Sequence, residues 1–481
     1  MADASLQQIT TDVMEINNLP SDMMGEIFLH CVASSASCSL SRRKAPLNLT
    51  WVCRSWRQLA YDTPRLWTML KLSDAHCEIP QLELAIRSWT DLARRHSLSL
   101  EYNIPHYTPP ILHKILLPLS DRLCHLNLNI RMSQYIALLD HLPLRLPLLE
   151  SIALKNSRAD DDQYNSFVLD LSSCPHLRDV VLEAVPRPGR SGYMVALAIP
   201  WAQLTTLKFI TTQLPPSCAI SILAECTNIV TFETSMAVVP SELMEARPAR
   251  LPFVLSHLKF LTISWCLWRP RYGYVVNVPI LTSLTAPALS RLNLLTVRTR
   301  SDVLAEALYE MHQRSQFDLE HFSLAGDLVL DTQDLPKFFR VTPKLRSLRL
   351  DLENTLEHRR LVKILAFRLT KKHNLLPELV SLELSMHRFH GRNTVISEGQ
   401  QMWPGNSKII TTLIQSRTWG DKPSPYAQVG LSQLARVVLG TRRRLGVKDW
   451  SIRKENVTLE RVVEELRAKG LALEMPIEYV H

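Results

Sequence analysis

The sequence lacks a long hydrophobic run, a leader-like start and any paired cysteine motif. No apolar run reaches about 18 residues, so a membrane-spanning helix is not expected. The start "MADASLQQITTD" has no basic head followed by an apolar stretch, which argues against a secretory signal. We therefore expect an intracellular protein of the cytoplasm or nucleus. Nine cysteines without a C-x-x-C pair indicate free, mostly buried thiols and not disulfides or a zinc site.

Signatures of common catalytic sites are missing too. Glycine is scarce, at 13 residues, and G-x-S-x-G, G-x-G-x-x-G, G-x-x-x-x-G-K-[ST] and H-E-x-x-H do not occur. His387 and His390 stand three apart without a nearby cysteine or acidic ligand, so neither a metal nor another cofactor is expected. The adjacent acids Asp160, Asp161 and Asp162 are typical of a solvated loop. The sequence therefore predicts a protein that is not an enzyme.

The formal net charge of +9 raises the question of a nucleic-acid partner. The basic residues are dispersed, however, with short clusters only at residues 42–44 and 442–444. No aromatic-basic module accompanies these clusters. A solvated basic surface is the favoured interpretation, and a nucleic-acid partner is not.

The most regular feature of the chain is the pattern L-x-x-L-x-L, in which other apolar residues replace some leucines. Its ten clear copies begin at Leu123, Leu149, Leu177, Leu204, Ile229, Leu258, Leu289, Leu319, Leu345 and Leu379. Successive copies start 25 to 34 residues apart, a rhythm that random leucine enrichment would not keep. Weaker copies start at Trp67 and Arg95, and a further candidate starts at Leu434.

Each copy predicts one strand followed by one helix. The final L-x-L alternates as a strand does, with both apolar side chains on one face. Apolar residues recur at helical spacing between copies, as in residues 79–96, 301–315 and 357–373. Stacked neighbours bury what a single strand and helix leave exposed, with parallel strands covered by outer helices. The predicted fold is α/β, a curved solenoid with a parallel sheet on its concave side. A compact α/β domain with leucine-rich strands is the alternative.

The period and the strand motif resemble those of the leucine-rich-repeat family over roughly residues 67–440. The resemblance departs from the family pattern at the Asn or Cys that should follow each strand by three residues. Only Cys266 fills that place here. The irregular period further implies an uneven arc of repeats.

A short apolar unit precedes the repeats. Its first helical stripe follows Pro20 and consists of Met23, Met24, Ile27, Phe28 and Cys31. A second stripe consists of Leu49, Val52, Cys53, Trp56 and Leu59, and it stops before Pro64. Two or three short helices in about 50 residues are too few for an independent core, so the unit needs a partner surface.

The motif residues of this unit resemble the F-box. The matching pieces are Leu19-Pro20, Ile27-Phe28, "VCRSWRQLA" from Val52, and "PRLW" ending at Trp67. Their combination is similar to the F-box-like family of mushroom-forming fungi, and it covers about residues 16–70. The departure is the loop from Ser34 to Lys44, which is longer than in compact F-boxes.

The resemblance implies a function. F-box domains bind the Skp adaptor of a cullin–RING (SCF) ubiquitin ligase, and repeats behind an F-box usually capture the substrate protein. The chain is therefore expected to be a substrate receptor, a non-catalytic subunit of the ligase. The alternative is an adaptor-independent scaffold or nucleic-acid binder built on the repeats.

These interpretations give a domain plan. The expected domains are an N-terminal tail (1–15), an F-box-like helical domain (16–70), a leucine-rich-repeat-like solenoid (71–440) and a C-terminal cap (441–481). Within the cap, Thr458 is a candidate N-cap of a helix that Gly470 ends, and "LALEM" is a candidate last strand.

Two sets of contact residues follow. The expected adaptor-binding residues are Leu19, Pro20, Met23, Ile27, Phe28, Val52, Cys53, Trp56, Leu59 and Trp67. The expected substrate-binding residues alternate with the core leucines or lie in the loop "LWRPRYGY". They are Asp179, Glu183, Lys208, Thr262, Trp268, Arg269, Tyr272, Arg291, Arg349, Asp351 and Glu383. Spacing alone leaves open which F-box side chains face inward and which face the adaptor.

Overall fold

The computed structural model describes the chain in segments. They are residues 19–34, 39–73, 82–104, 114–131, 134–135, 146–156, 167–184, 195–238, 252–267, 278–329, 334–352, 375–387, 434–444, 468, 472–474 and 477–480. Several expected features lie outside the described residues: the tail 1–15, the loop residues Trp268, Arg269 and Tyr272, the helix at 357–373 and most of the C-terminal helix. The chain forms two compact units, one of Met1–Leu177 with Val195–Ile199 and one of Arg178–Met194 with Pro200–His481.

Five of the described α-helices lie between consecutive strands, and the other described strands follow one another without a described α-helix between them. The α-helices are α1 (Ser21–Ser34), α2 (Arg54–Asp62), α3 (Leu82–Leu92), α4 (Pro216–Glu225), α5 (Pro279–Ser283), α6 (Ser301–Ser315) and α7 (Asp334–Val341). Short 3₁₀ helices cover Leu47–Trp51, Pro64–Trp67, Leu117–Arg122 and Trp201–Gln203. The strands are β1 (Met69–Ser73), β2 (Leu98–Asn103), β3 (Leu123–Ile130), β4 (Ser151–Asn156), β5 (Phe167–Asp170), β6 (Asp179–Glu183), β7 (Val195–Ala198), β8 (Thr206–Leu214), β9 (Thr231–Val238), β10 (Phe253–Val254), β11 (Phe260–Leu267), β12 (Leu284–Thr285), β13 (Arg291–Arg300), β14 (His321–Val329), β15 (Ser347–Leu352), β16 (Ser381–His387), β17 (Arg436–Arg444), β18 (Ala472–Glu474) and β19 (Ile477–Val480).

In the first unit, strands β1, β2, β3 and β4 pair in that order, and every pair is parallel. The apolar residues of each L-x-L face the core, because alternate positions of a strand share one face. Leu72, Leu100, Leu126 and Leu154 are accordingly buried. Strands β5 and β7 form a separate parallel pair in this unit.

In the second unit, strands β6, β8, β9, β11, β13, β14, β15, β16 and β17 pair in that order, again all parallel. Both β18 and β19 then pair with β17, on different parts of its length. The core leucine position stays in register from strand to strand. One row joins Leu261, Leu292, Phe322, Leu348 and Leu382, and all five side chains are buried. Each of the ten motif copies thus lies on a parallel strand, and the predicted mixed α/β class is confirmed.

Two predicted helices are confirmed together with the faces that they bury. Helix α3 buries Leu82, Ile86 and Trp89, and α6 buries Leu304 and Leu308. Two boundaries differ from the sequence pattern. The copy at Trp67 forms strand only from residue 69, because Trp67 completes a 3₁₀ turn, and β17 continues through residue 444, past the expected boundary at 440.

Candidate docking surfaces

In residues 19–67, α1 begins where its sequence signal stands, but the second predicted helix is divided. Leu49 lies in the 3₁₀ helix Leu47–Trp51, and α2 begins only at Arg54. The carbonyl oxygen of Pro20 accepts a hydrogen bond from the Met24 N–H (3.0 Å), so α1 starts directly after this proline. Helix α2 follows Cys53, whose extended backbone and Sγ, 3.4 Å from the Trp56 N–H, cap its first turn. It ends before Pro64, as the sequence predicts.

A cluster of aromatic rings forms the core of this segment. The Phe28 ring lies 4.9 Å from Trp56, and the Trp67 ring meets Trp89 edge-on at 4.9 Å. The Trp67 indole N–H also donates to the carbonyl of Ala60 (2.8 Å). Phe28 and Trp67 are 0% and 1% exposed, which leaves no side-chain surface for a partner. The assignment of these two residues to adaptor binding is therefore corrected: they hold α1, α2 and α3 together.

Other apolar side chains of the same segment face solvent. Met23 is 53% exposed and Val52 59%. Ile27 and Pro20 are also exposed, while Leu19, Cys53, Trp56 and Leu59 are half-buried. Trp51, which the helical spacing of the sequence does not single out, is 59% exposed and lies under the guanidinium group of Arg42 at 4.8 Å. We refer to Pro20, Met23, Ile27, Trp51 and Val52 as the exposed apolar set.

Cys53 is the one member of the expected adaptor-binding residues that titrates. Its Sγ lies 3.1 Å from the Ser55 hydroxyl and accepts the Trp56 N–H. These hydrogen bonds, that of Ser55 above all, stabilise the thiolate and lower the pKa of Cys53. Burial acts in the opposite direction elsewhere in the chain: it raises the pKa of Cys174, and that of Cys226 to about 12.

We expect iodoacetamide to alkylate Cys53 at lower pH than an ordinary thiol, because only the thiolate reacts. In a Ser55→Ala variant, the pH at which alkylation reaches half its maximal rate should rise, since the largest stabilising hydrogen bond is lost. Mass spectrometry of labelled peptides across a pH series measures this rate. Cys174 and Cys226 serve as internal controls that label only after unfolding. Identical pH profiles for the parent and Ser55→Ala would show that the Ser55 hydroxyl does not stabilise the Cys53 thiolate.

Polar side chains line the side of the second unit's strands that points away from the core leucines, most of them partly exposed and Ser323 buried. We define its central column as the residues at the middle of each L-x-L or, for Glu233, of the equivalent Phe-Glu-Thr: Lys208, Glu233, Thr262, Asn293, Ser323, Arg349 and Glu383. Neighbouring members pair across strands. The Lys208 ammonium lies 3.6 Å from Glu233, the Asn293 amide donates to Thr262 (3.0 Å), and Arg349 lies 3.2 Å from Glu383. The first unit has a similar pair, Lys71 with Glu101 at 2.8 Å.

These pairs are partly exposed, and such ion pairs stabilise a fold by only about 0.2–1 kcal/mol each. Their main effect is to fix the direction of each side chain on the strand face. Lys208, Thr262, Arg349 and Glu383 were expected contact residues. Their partners Glu233 and Asn293 were not, although both occupy the middle position of an L-x-L motif or its equivalent, which is the signal that identifies them.

The remaining expected contacts lie beside the central column. Asp179 accepts a hydrogen bond from the Thr205 hydroxyl (3.2 Å), and Glu183 is half-buried at the end of β6. Arg291 is exposed at the start of β13. Asp351, in contrast, is only 3% exposed. The expectation that Asp351 contacts a substrate is corrected, because a side chain this deeply covered offers no accessible carboxylate.

Within the described part of the chain, no group of three or more His, Cys, Asp or Glu side chains is arranged to hold a metal ion. His387 ends β16, and His390 lies outside the described residues. None of the described helices has the length and hydropathy that a membrane span requires.

No family model matches the chain, and no curated protein matches it either. The inference of function therefore rests on the residues and contacts of the chain itself.

Proposed function

We propose that this protein is a substrate receptor of an SCF-type cullin–RING ubiquitin ligase. In this proposal, residues 16–70 form an F-box that docks on the Skp adaptor. The parallel strands belong to a leucine-rich-repeat solenoid, and their polar face captures a substrate protein. The observation that carries the proposal is the exposed apolar set, which lies on a segment whose motif residues resemble the F-box.

The exposure of these side chains supports docking because the segment buries an aromatic core and still leaves them in solvent. Phe28 and Trp67 are fully buried, while Met23, Trp51 and Val52 are each more than half exposed. Burying one large apolar side chain stabilises a complex by about 1.5–3 kcal/mol. Several such side chains on a short segment are therefore a substantial part of a protein interface.

The strand face supports the second half of the proposal. Its polar side chains are mounted on paired strands, so their positions are set by the backbone ladder and by the contacts across strands. Recognition of a folded or extended partner benefits from side chains that are ordered before binding, because less conformational entropy is lost. The central column supplies both charges and amides for such contacts.

The test is capture of a Skp adaptor co-expressed with the full chain. We expect the parent to retain the adaptor and Met23→Asp/Val52→Asp to bind it at least about tenfold more weakly, because two apolar contacts become desolvated charges. Leu84→Asp is the matched control: Leu84 is also 53% exposed, but it lies on α3, outside residues 16–70. Thermal melts should show all variants folded, since these are surface positions.

Two outcomes would count against the proposal. Equal capture by the double variant and the parent would show that the exposed apolar set is not the contact. No capture by the parent would remove the receptor function, and the adaptor-independent scaffold or nucleic-acid binder would take its place.

A further inference from the structure

The cations on the strand face of the second unit are not equally neutralised. Lys208 and Arg349 each face a carboxylate, Glu233 and Glu383 respectively, on the neighbouring strand. Arg291 shares this face but has no ion pair with any carboxylate that the structure describes. It therefore carries a positive charge that the face does not balance from within.

The side chain of Arg291 is nevertheless held in place. Its guanidinium carbon lies over the Phe260 ring, 5.4 Å from the ring centre. Phe260 is the residue directly opposite Arg291 in the parallel register of β11 and β13. This contact restrains the Arg291 side chain but supplies no anionic partner. A ligand that provides a carboxylate therefore binds with little further loss of side-chain conformational entropy.

The groups next to Arg291 do not add a second unbalanced charge. His321 stands opposite it on β14, and Arg346, which precedes β15 on the other side of that histidine, lies 3.7 Å from the carboxylate of Glu378. The pKa of His321 is lowered first by burial and then by the charge of Arg291, while Glu320 acts in the opposite direction. His321 is therefore neutral at pH 7, and Arg291 is the unbalanced cation of this part of the face.

The distribution of charge selects the kind of anion. Nucleic-acid binding commonly uses several cations that follow successive phosphates. Here Lys208 and Arg349 are already neutralised by Glu233 and Glu383, so Arg291 is a single unbalanced cation and not one of a row that could follow successive phosphates. A single carboxylate matches a single cation, and the planar guanidinium group can bind it through two parallel hydrogen bonds.

We propose that Arg291 is a specificity-determining residue of the strand face, where it binds the carboxylate of an acidic peptide segment in the captured protein. The inference rests on the proposed substrate-receptor function and adds the chemistry that the substrate must present.

The experiment is selection of a random peptide library on the full chain, carried out in parallel on the parent, Arg291→Gln and Arg340→Gln. Arg340 is the matched control, an exposed arginine near the end of α7. We expect the parent and Arg340→Gln to enrich peptides that contain Asp or Glu, and Arg291→Gln to lose this preference. An acidic peptide recovered on the parent should then bind Arg291→Gln about tenfold more weakly in a titration and Arg340→Gln unchanged.

The same acidic enrichment on Arg291→Gln would overturn the inference, as would the recovery of no acidic peptide on the parent. If Arg340→Gln lost the preference for acidic peptides as much as Arg291→Gln does, the preference would reflect net charge alone, and the inference about Arg291 would be overturned. If the parent retained a mixed-sequence single-stranded oligonucleotide and Arg291→Gln did not, the ligand of Arg291 would be nucleic acid and not an acidic peptide. Adaptor capture by Arg291→Gln, measured alongside, separates the two proposals: its presence supports receptor function whatever the peptide selection yields.

Discussion

Replacing Leu348 by Asp is expected to unfold the strands around β15. The Leu348 side chain is fully buried between Phe322 and Leu382, the residues opposite it on β14 and β16. Truncating a buried leucine costs about 2–5 kcal/mol, and an unpaired carboxylate in the same place adds several more. The sum is comparable to the stability of many whole domains. Limited proteolysis should therefore cut β14, β15 and β16 first.

Ser347→Asp is the control for this change. Ser347 precedes Leu348 on the same strand, and its side chain points to the opposite, partly exposed side, next to His321. The same carboxylate should shift the thermal midpoint little there, because solvent reaches it. Equal protease resistance in Leu348→Asp and the parent would show that the row of apolar residues is not the core.

The second large effect is expected for Trp67→Ala. This change removes the buried ring that contacts Trp89 and the N–H that bonds to the Ala60 carbonyl. Replacement of a buried tryptophan by alanine costs about 3–5 kcal/mol, and the Ala60 carbonyl loses the closer of two donors, keeping the Thr63 N–H at 3.4 Å. Amide hydrogen exchange followed by mass spectrometry should show faster exchange in α1, α2 and α3.

Trp51→Ala offers a direct comparison, since Trp51 is an exposed tryptophan of the same segment. Its removal should leave the exchange rates of the three helices close to those of the parent. If Trp51→Ala loosened the helices as much as Trp67→Ala does, the assignment of one ring to the core and the other to the surface would be wrong.

The strands could be predicted from sequence because their signal is local. Two apolar residues separated by one polar residue bury both apolar side chains on any paired strand, and the period of about thirty residues repeats this test many times. Leu261, Leu292 and Leu348 confirm it in successive strands. Helix α6 was predictable for the same reason, because Leu304 and Leu308 share one face.

The docking residues were harder because spacing gives a stripe and not its orientation in the fold. Ile27 and Phe28 are adjacent in the F-box-like motif, yet Ile27 is partly exposed and Phe28 fully buried. Which of them faces inward depends on where α2 and its Trp56 lie. That position belongs to the tertiary structure and cannot be read from the spacing within α1. Trp51 was missed because it stands outside the helical stripe, in a 3₁₀ turn.

Asp351 shows the same limit on the strands. Alternation correctly places it on the side away from the core leucines, opposite Ala325 and Ser385 of the neighbouring strands. It does not reveal how deeply that position is covered. The isolated charge of Arg291 was equally hidden, because the pairing of Lys208 and Arg349 with acids on other strands becomes visible only once the register is known.

The order of the strands has a consequence for synthesis of the chain on the ribosome. Within each unit, nearly every described strand in the main rows pairs with its predecessor along the chain. At translation rates of about 5–20 residues per second, a new strand would emerge roughly every 1.5–6 seconds. The strand before it would already be folded and available for pairing. Such stepwise growth requires only short loop closures. Its cost is that each intermediate presents an open strand edge, so a stalled ribosome would display a surface prone to pairing with other nascent chains.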